Sequence, residues 1–220
     1  MKCCGSWLPA GLSIVLLGCG QRTEQYVLPD QVVEFSALYG SNCAGCHGRD
    51  GHSGAARPLN DPLYLALIGK EKLRSVIATG VPGTAMPPFA KNAGGTLTDQ
   101  QIAILADQIE GRWSRPSEFA GITLPPYDAG PGDREHGKAV FLAYCSRCHG
   151  DGATAGSSGG SVVNPAFLAL VSDQSLRTTV IAGRADQRIP DWRGYHPGQP
   201  MTPQEIADVV AWLSAHREIP

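Results

Sequence analysis

Cys43-Ala44-Gly45-Cys46-His47-Gly48 returns as Cys145-Ser146-Arg147-Cys148-His149-Gly150, displaced by 102 residues. The likeness spreads outward from both copies. Leu38-Tyr39 ahead of the first matches Val140-Phe141 ahead of the second. Beyond them, Asn60-Asp61-Pro62-Leu63-Tyr64-Leu65-Ala66-Leu67-Ile68 matches Val163-Asn164-Pro165-Ala166-Phe167-Leu168-Ala169-Leu170-Val171. Leu73-Arg74 through Thr79-Gly80 then matches Leu176-Arg177 through Ala182-Gly183. The displacement drifts by only one or two positions, so one unit has been duplicated in tandem with small loop insertions.

Each unit closes on a strong helix signal. Thr98-Asp99-Gln100-Gln101 and Thr202-Pro203-Gln204-Glu205 are capping boxes, in which a hydroxyl and a side-chain carboxyl or amide satisfy each other's backbone N–H groups. Ile102, Leu105 and Ile109 follow at helical spacing, as do Ile206, Val209 or Val210, and Leu213. The segments ahead of each CxxCH also read as helix, the Gly-rich run 150–160 reads as loop, and alternating strand patterns are absent. The expected fold is all-α: two tandem domains, 31–113 and 134–220, each of three to four short helices, joined by a Pro- and Gly-rich linker at 114–133. Units this small bury too little apolar surface to stand alone, so something else must complete each core.

C-x-x-C-H is the spacing at which a haem of the c type is attached. Two thiols on one helical turn meet the two vinyl groups of one porphyrin edge, and the histidine that follows turns its ring to the iron. A thioredoxin-like redox pair would want a βαβ setting, which is missing. A structural zinc needs four ligands, whereas each half offers two thiols and an imidazole. Disulfides across each CxxC would leave both histidines unexplained. Two covalent haems, on Cys43 and Cys46 and on Cys145 and Cys148, with His47 and His149 on the irons, account for every residue of the repeat.

Both halves resemble class I c-type cytochromes from about residue 31 to 217. The resemblance implies a haem-centred helical fold and one-electron transfer. It also implies a methionine sixth ligand in an M-P turn, supplied by Met86-Pro87 in the first half. A proline carbonyl that orients the axial histidine is implied as well, with Pro58 its counterpart and Ser161 in the aligned slot of the second half. The second half departs from the pattern: Ile189-Pro190 stands where Met86-Pro87 should recur, and isoleucine cannot ligate iron. Three outcomes stay open for haem 2: ligation by His196 in the same loop, ligation by Met201 directly before the helix cap, or an open site. Phe89 and Trp192 follow the two ligand turns, as neighbours of a haem edge or as plain core. His52, His136 and His216 read as solvated.

The chain holds seven cysteines, an odd count for a protein stapled by internal disulfides. Lys2 and the apolar residues 7–17 form the start of an export signal, too short to span a bilayer. Leu16-Leu17-Gly18-Cys19 resembles the lipobox of bacterial lipoproteins, which implies loss of residues 1–18, acylation of Cys19 and a tether over 19–30. An ordinary cleaved signal or an uncleaved anchor is the alternative. On the lipoprotein reading Cys3 and Cys4 leave, Cys19 is acylated and four cysteines carry haem. A net charge of −2 gives no polycationic footprint for nucleic acid, and the glycines of 150–161 are followed by no GK[ST] phosphate loop.

The expected function is single-electron transfer by an exported, membrane-tethered dihaem protein, without catalytic residues of its own. Its expected partners are redox proteins or membrane complexes of a bacterial respiratory or photosynthetic chain. A fixed electron-entry subunit of a larger oxidoreductase, or a ligand-binding or enzymatic haem 2, are the competing expectations. No acid-base residue of peroxidase type lies near Ile189, and no sensor output domain is present.

Overall fold

The computed structural model describes residues 26–153, 156, 159–196 and 198–217. The signal segment, Cys3, Cys4, Cys19 and residues 19–25 of the tether lie outside the described residues. Among those described there are ten α-helices and no strand, only isolated bridges pairing Ala90 with Leu97 and Arg184 with Ile189. The first half runs α1 (Phe35–Asn42), α2 (Ala44–His47), α3 (Pro62–Ile68), α4 (Lys70–Thr79) and α5 (Asp99–Trp113). The second runs α6 (Arg134–Tyr144), α7 (Ser146–His149), α8 (Pro165–Leu168), α9 (Asp173–Ala182) and α10 (Pro203–Ser214). No described helix is long and apolar enough to cross a membrane.

Five helices per half, rather than three to four, follow from how each CxxCH begins. The first cysteine closes one helix and opens the next: Cys43 donates its N–H to the Tyr39 carbonyl, then accepts from His47. Its backbone, at φ −120° and ψ −38°, breaks the helix between the two, and Cys145 does the same at φ −115° and ψ −26°. The motif therefore forms a short turn of its own, α2 or α7, set off from the helix before it.

Local chemistry fixes the other ends. Pro62 and Pro165 open α3 and α8, where a missing N–H costs nothing. Asp61 caps α3 by accepting the N–H groups of Leu63 and Tyr64, and Asn164 caps α8 through Phe167. Both expected capping boxes form, Thr98 with Gln101 and Thr202 with Glu205. The stripes they launch are buried: Ile102, Leu105 and Ile109 on α5, and Ile206, Val209, Val210 and Leu213 on α10. Each such side chain contributes about 2 kcal/mol of hydrophobic stabilisation. Aromatic edges seat α1 on α5, where Tyr39 meets Trp113 at 5.6 Å between centroids, and α6 on α10, where Phe141 meets Trp212 at 4.6 Å.

The linker is a brace. Arg177 of α9, 1% exposed, donates to the carbonyls of Pro126 and Tyr127, and Gln174 adds a second bond to Tyr127. Lys72 of α4 pairs with Asp128 at 3.0 Å. Helices of both halves thus grip the same stretch, and α3 packs on α9 across the join.

Candidate haem sites

No disulfide joins the four cysteines of the repeat, of which Cys46 and Cys148 lie at the surface and Cys43 and Cys145 are half-buried. Burial, aided by the charge of the neighbouring motif cysteine, pushes the Cys43 thiol up to about 11 and the Cys145 thiol to about 12. Such thiols are protonated at neutral pH, the opposite of the activated thiolates in redox or metal-binding CxxC pairs.

The residues after each motif fold back over it. A Cβ on Gly54 would sit 2.0 Å from the Cys46 carbonyl oxygen, and one on Gly156 2.0 Å from that of Cys148. Only glycine allows this approach. The returning segment carries the carbonyl that fixes each histidine: Nδ1 of His47 donates to the Arg57 oxygen at 2.8 Å, and Nδ1 of His149 to that of Gly160 at 3.0 Å. With Nδ1 engaged as the N–H donor, Nε2 keeps its lone pair for a metal. Burial also lowers the His47 pKa and keeps the ring neutral, although the bond to Arg57 opposes the shift.

The expectation for Pro58 is corrected by one residue, and the same offset separates Gly160 from Ser161. The proline sets the path of the chain, while the preceding peptide, which turns its oxygen toward the ring, makes the bond. Ser161 instead donates its hydroxyl to the Gly152 carbonyl at 2.9 Å.

The turns that carry Met86 and Ile189 share a backbone hydrogen bond. Val81 N–H donates to the Met86 oxygen at 3.0 Å; Arg184 N–H donates to the Ile189 oxygen at 2.9 Å. Gly80 and Gly183, at φ 69° and 68°, precede them, and a Cβ on either would strike the Met86 or the Ile189 carbonyl. Thr84 locks the first turn by accepting the Met86 N–H through its hydroxyl. In the second turn Arg188 takes φ 61°, the one non-glycine residue at positive φ among those described. Met86 and Ile189 are both half-buried. Ile189 therefore occupies the methionine position in space as well as in sequence.

The other residues considered for haem 2 are engaged elsewhere. His196 is exposed, its Nε2 hydrogen-bonds the Ala143 carbonyl at 2.8 Å, and its ring stands edge-on to Tyr144. Met201 is 2% exposed in the core, and its N–H donates to the Trp192 carbonyl as that of Leu97 does to Phe89. Trp192 itself is a core residue, 4% exposed. His136, expected to be merely solvated, pairs through Nδ1 with the buried carboxylate of Asp208 at 2.7 Å. Asp208 also accepts the Asp133 N–H at the cap of α6, which draws the histidine into the contact between α6 and α10.

Arg57 was not legible as a site residue. Besides giving its carbonyl to His47, it sends its guanidinium into the second half, to the Gly183 oxygen at 3.2 Å and Thr179 Oγ1 at 3.0 Å. Only the contact between halves gives it this role, and a single repeat unit carries no sign of it.

The residues present fit a c-type haem in each half: paired cysteines on one turn, an imidazole oriented through Nδ1, and a separate glycine-bounded turn. Comparisons with known proteins agree. The family described as "Cytochrome C oxidase, cbb3-type, subunit III" matches residues 30–108 and again 132–213. The chain is 34% identical over 121 residues to the cbb3-type cytochrome c oxidase subunit FixPc of Rhizobium leguminosarum bv. viciae, covering 51% of this chain and 37% of that protein. It is 29% identical over 167 residues to subunit FixP of Bradyrhizobium sp. (strain ORS 278), covering 71% and 53%. The chain thus spans about half or less of the length of these relatives. A chain of the Kuenenia stuttgartiensis reducing HAO-like protein complex aligns with a TM-score of 0.50 at 18% identity, over 84% of this chain and 96% of that one, and supports the fold. With two matched units carrying two CxxCH motifs, the chain belongs to the subunit III family of cbb3-type cytochrome c oxidases, as a tandem cytochrome c with a haem-binding site in each half.

Proposed function

We propose that the chain is an exported dihaem cytochrome c that passes single electrons, held at a membrane by a lipid on Cys19. A bound c-type haem supplies a one-electron ferric/ferrous couple. The chain's own residues do the rest. Cys43, Cys46, Cys145 and Cys148 hold the two groups covalently, and His47 and His149 each present Nε2 to a metal because Nδ1 is committed to a backbone oxygen. Met86 supplies the sixth ligand of haem 1 from a turn that is held through its backbone and leaves its side chain unused. A soft thioether opposite imidazole favours the ferrous state relative to a bis-histidine pair.

The observation that carries the reading is the double occurrence of one geometry, a cysteine pair with Cys46 and Cys148 at the surface and an oriented histidine beside it. That exposure supports an attachment edge within reach of a partner. Small, weak docking surfaces suit such exchange.

The relatives are named as subunits of cytochrome c oxidase, which favours a second form of the same role: a fixed electron-entry subunit rather than a mobile carrier. The setting would then be respiratory rather than photosynthetic. Washed membranes of the producing bacterium, mixed with the reduced protein, test both. Rapid re-oxidation at the haem absorbance is expected, and its absence overturns the proposal. Co-purification with a solubilised oxidase selects the fixed subunit, and its failure selects the carrier. Radiolabelled palmitate incorporated into the wild type and lost in Cys19→Ser tests the anchor.

A further inference from the structure

The turn of the second half keeps the glycine and the proline of its counterpart, Gly183 for Gly80 and Pro190 for Pro87, but carries Ile189 in place of Met86. The backbone bonds of the turn are conserved between halves, with Arg184 N–H on the Ile189 oxygen as Val81 N–H is on the Met86 oxygen. The glycine that admits the turn is in place at φ 68°. The side chain delivered by this turn is nonetheless a hydrocarbon. Neither substitute ligand is free. His196 has Nε2, the nitrogen needed for iron, on the Ala143 carbonyl, and Met201 is packed in the core with its backbone fixed to Trp192.

We propose that haem 2 has no sixth ligand from the protein, and that this position, covered by Ile189, binds a small uncharged diatomic ligand of the carbon monoxide and nitric oxide type. The inference rests on the dihaem reading above. Its chemistry follows from ligation and polarity. A ferrous haem held by one histidine is five-coordinate and takes π-acceptor diatomics, whereas dioxygen needs a hydrogen-bond donor to stabilise the polar bound form. Ile189 offers none. The guanidinium groups of Arg184 and Arg193 are held by Asp186 and Asp191 at 2.7 Å.

Ile189 and Pro190 also border a groove of about 510 Å³ between the two halves, with Asp61, Leu63 and Phe119 on its other wall. Arg188 in its left-handed conformation fixes the turn that carries Ile189, so the covering side chain is set by the backbone. Strain of this kind is held where the surrounding structure over-determines it.

The test uses the full holoprotein, reduced with dithionite and titrated with carbon monoxide under the absorption spectrum. Haem content is counted first as the pyridine haemochrome. Two covalent haems per chain and one carbon monoxide bound are expected. Ile189→Met should abolish the binding and double the methionine–iron charge-transfer band of the ferric protein. His196→Gln and Met201→Leu should each leave one carbon monoxide per chain. A protein with two haems and no spectral response to carbon monoxide overturns the inference, as does undiminished binding in Ile189→Met. Fewer than two covalent haems overturns the dihaem reading instead, so the two failures are distinguishable.

Discussion

Arg57 accepts the His47 Nδ1–H on its carbonyl oxygen at 2.8 Å while its guanidinium reaches 3.0 Å from Thr179 Oγ1 in the other half of the chain. One residue thus orients His47 of the first CxxCH and clamps the end of α9, whose last carbonyls lead into the turn that carries Ile189. The guanidinium also lies over the Tyr64 ring at 5.3 Å and within 3.8 Å of Asp61. Any side chain could supply the carbonyl, but only arginine reaches all these partners at once.

Arg57→Ala should therefore cost roughly 2–3 kcal/mol, the scale for a mostly buried charged donor and its stranded acceptors. Urea unfolding of the holoprotein, followed separately by tryptophan fluorescence and haem absorbance, measures it. Loss of the clamp is expected to split one transition into two. An unchanged midpoint would show that the contact between halves contributes nothing to their coupling.

Met86→Ala should remove the methionine–iron charge-transfer band of the ferric protein and lower the midpoint potential of one haem, leaving the other unmoved. Carbon monoxide binding should rise from one to two per chain. Because Thr84 and Val81 hold the turn by backbone bonds, the variant is expected to fold normally. Persistence of the band would assign it to another residue.

The His136–Asp208 pair gives stability a dependence on pH. Its hydrogen bond to Asp208 raises the His136 pKa above that of the unfolded chain. Burial works against the Asp208 charge, but the bonds from Asp133, His136 and Gln204 together bring its pKa below the usual aspartate range. The histidine's contribution is fully present below its unfolded pKa, near 6.5, and is lost as pH rises through the higher folded value. The aspartate's contribution is present above its unfolded pKa and is lost as pH falls through the lower folded value. Urea midpoints across pH should fall on both flanks of a mildly acidic optimum. His136→Gln should flatten the alkaline flank and weaken the acid one, where the bonds to Asp208 from Asp133 and Gln204 remain.

Thr202→Ala deletes the hydroxyl that accepts the Glu205 N–H, while the backbone N–H of residue 202 still donates to the Glu205 carboxylate. A loss of about 1 kcal/mol is expected by thermal or urea unfolding. Thr202→Ser, which retains the oxygen, should recover most of it.

The helix ends and attachment sites were legible because each rests on local chemistry. Thr98 and Gln101, or Thr202 and Glu205, meet within one turn whatever surrounds them, and a CxxCH carries its geometry in its spacing. The methionine position was legible through the repeat, which made Ile189 visible as a departure. What escaped depended on backbone or distance. The oxygen that orients His47 belongs to Arg57 rather than Pro58, since a carbonyl leaves no residue-type signature. Residues 114–133 have the composition of a loose linker yet are fixed by Arg177, which is exposed in its counterpart Arg74 and buried only because the halves meet. His136 gained a role from Asp208, 72 positions away.

The most direct measurement is a coulometric titration of the purified mature protein, with haem absorbance and free thiols followed together. Two covalent haems should take up two electrons in separate one-electron steps, with no thiol titrating after unfolding. Four free thiols, or a single two-electron step without change in haem absorbance, would contradict the account at its centre.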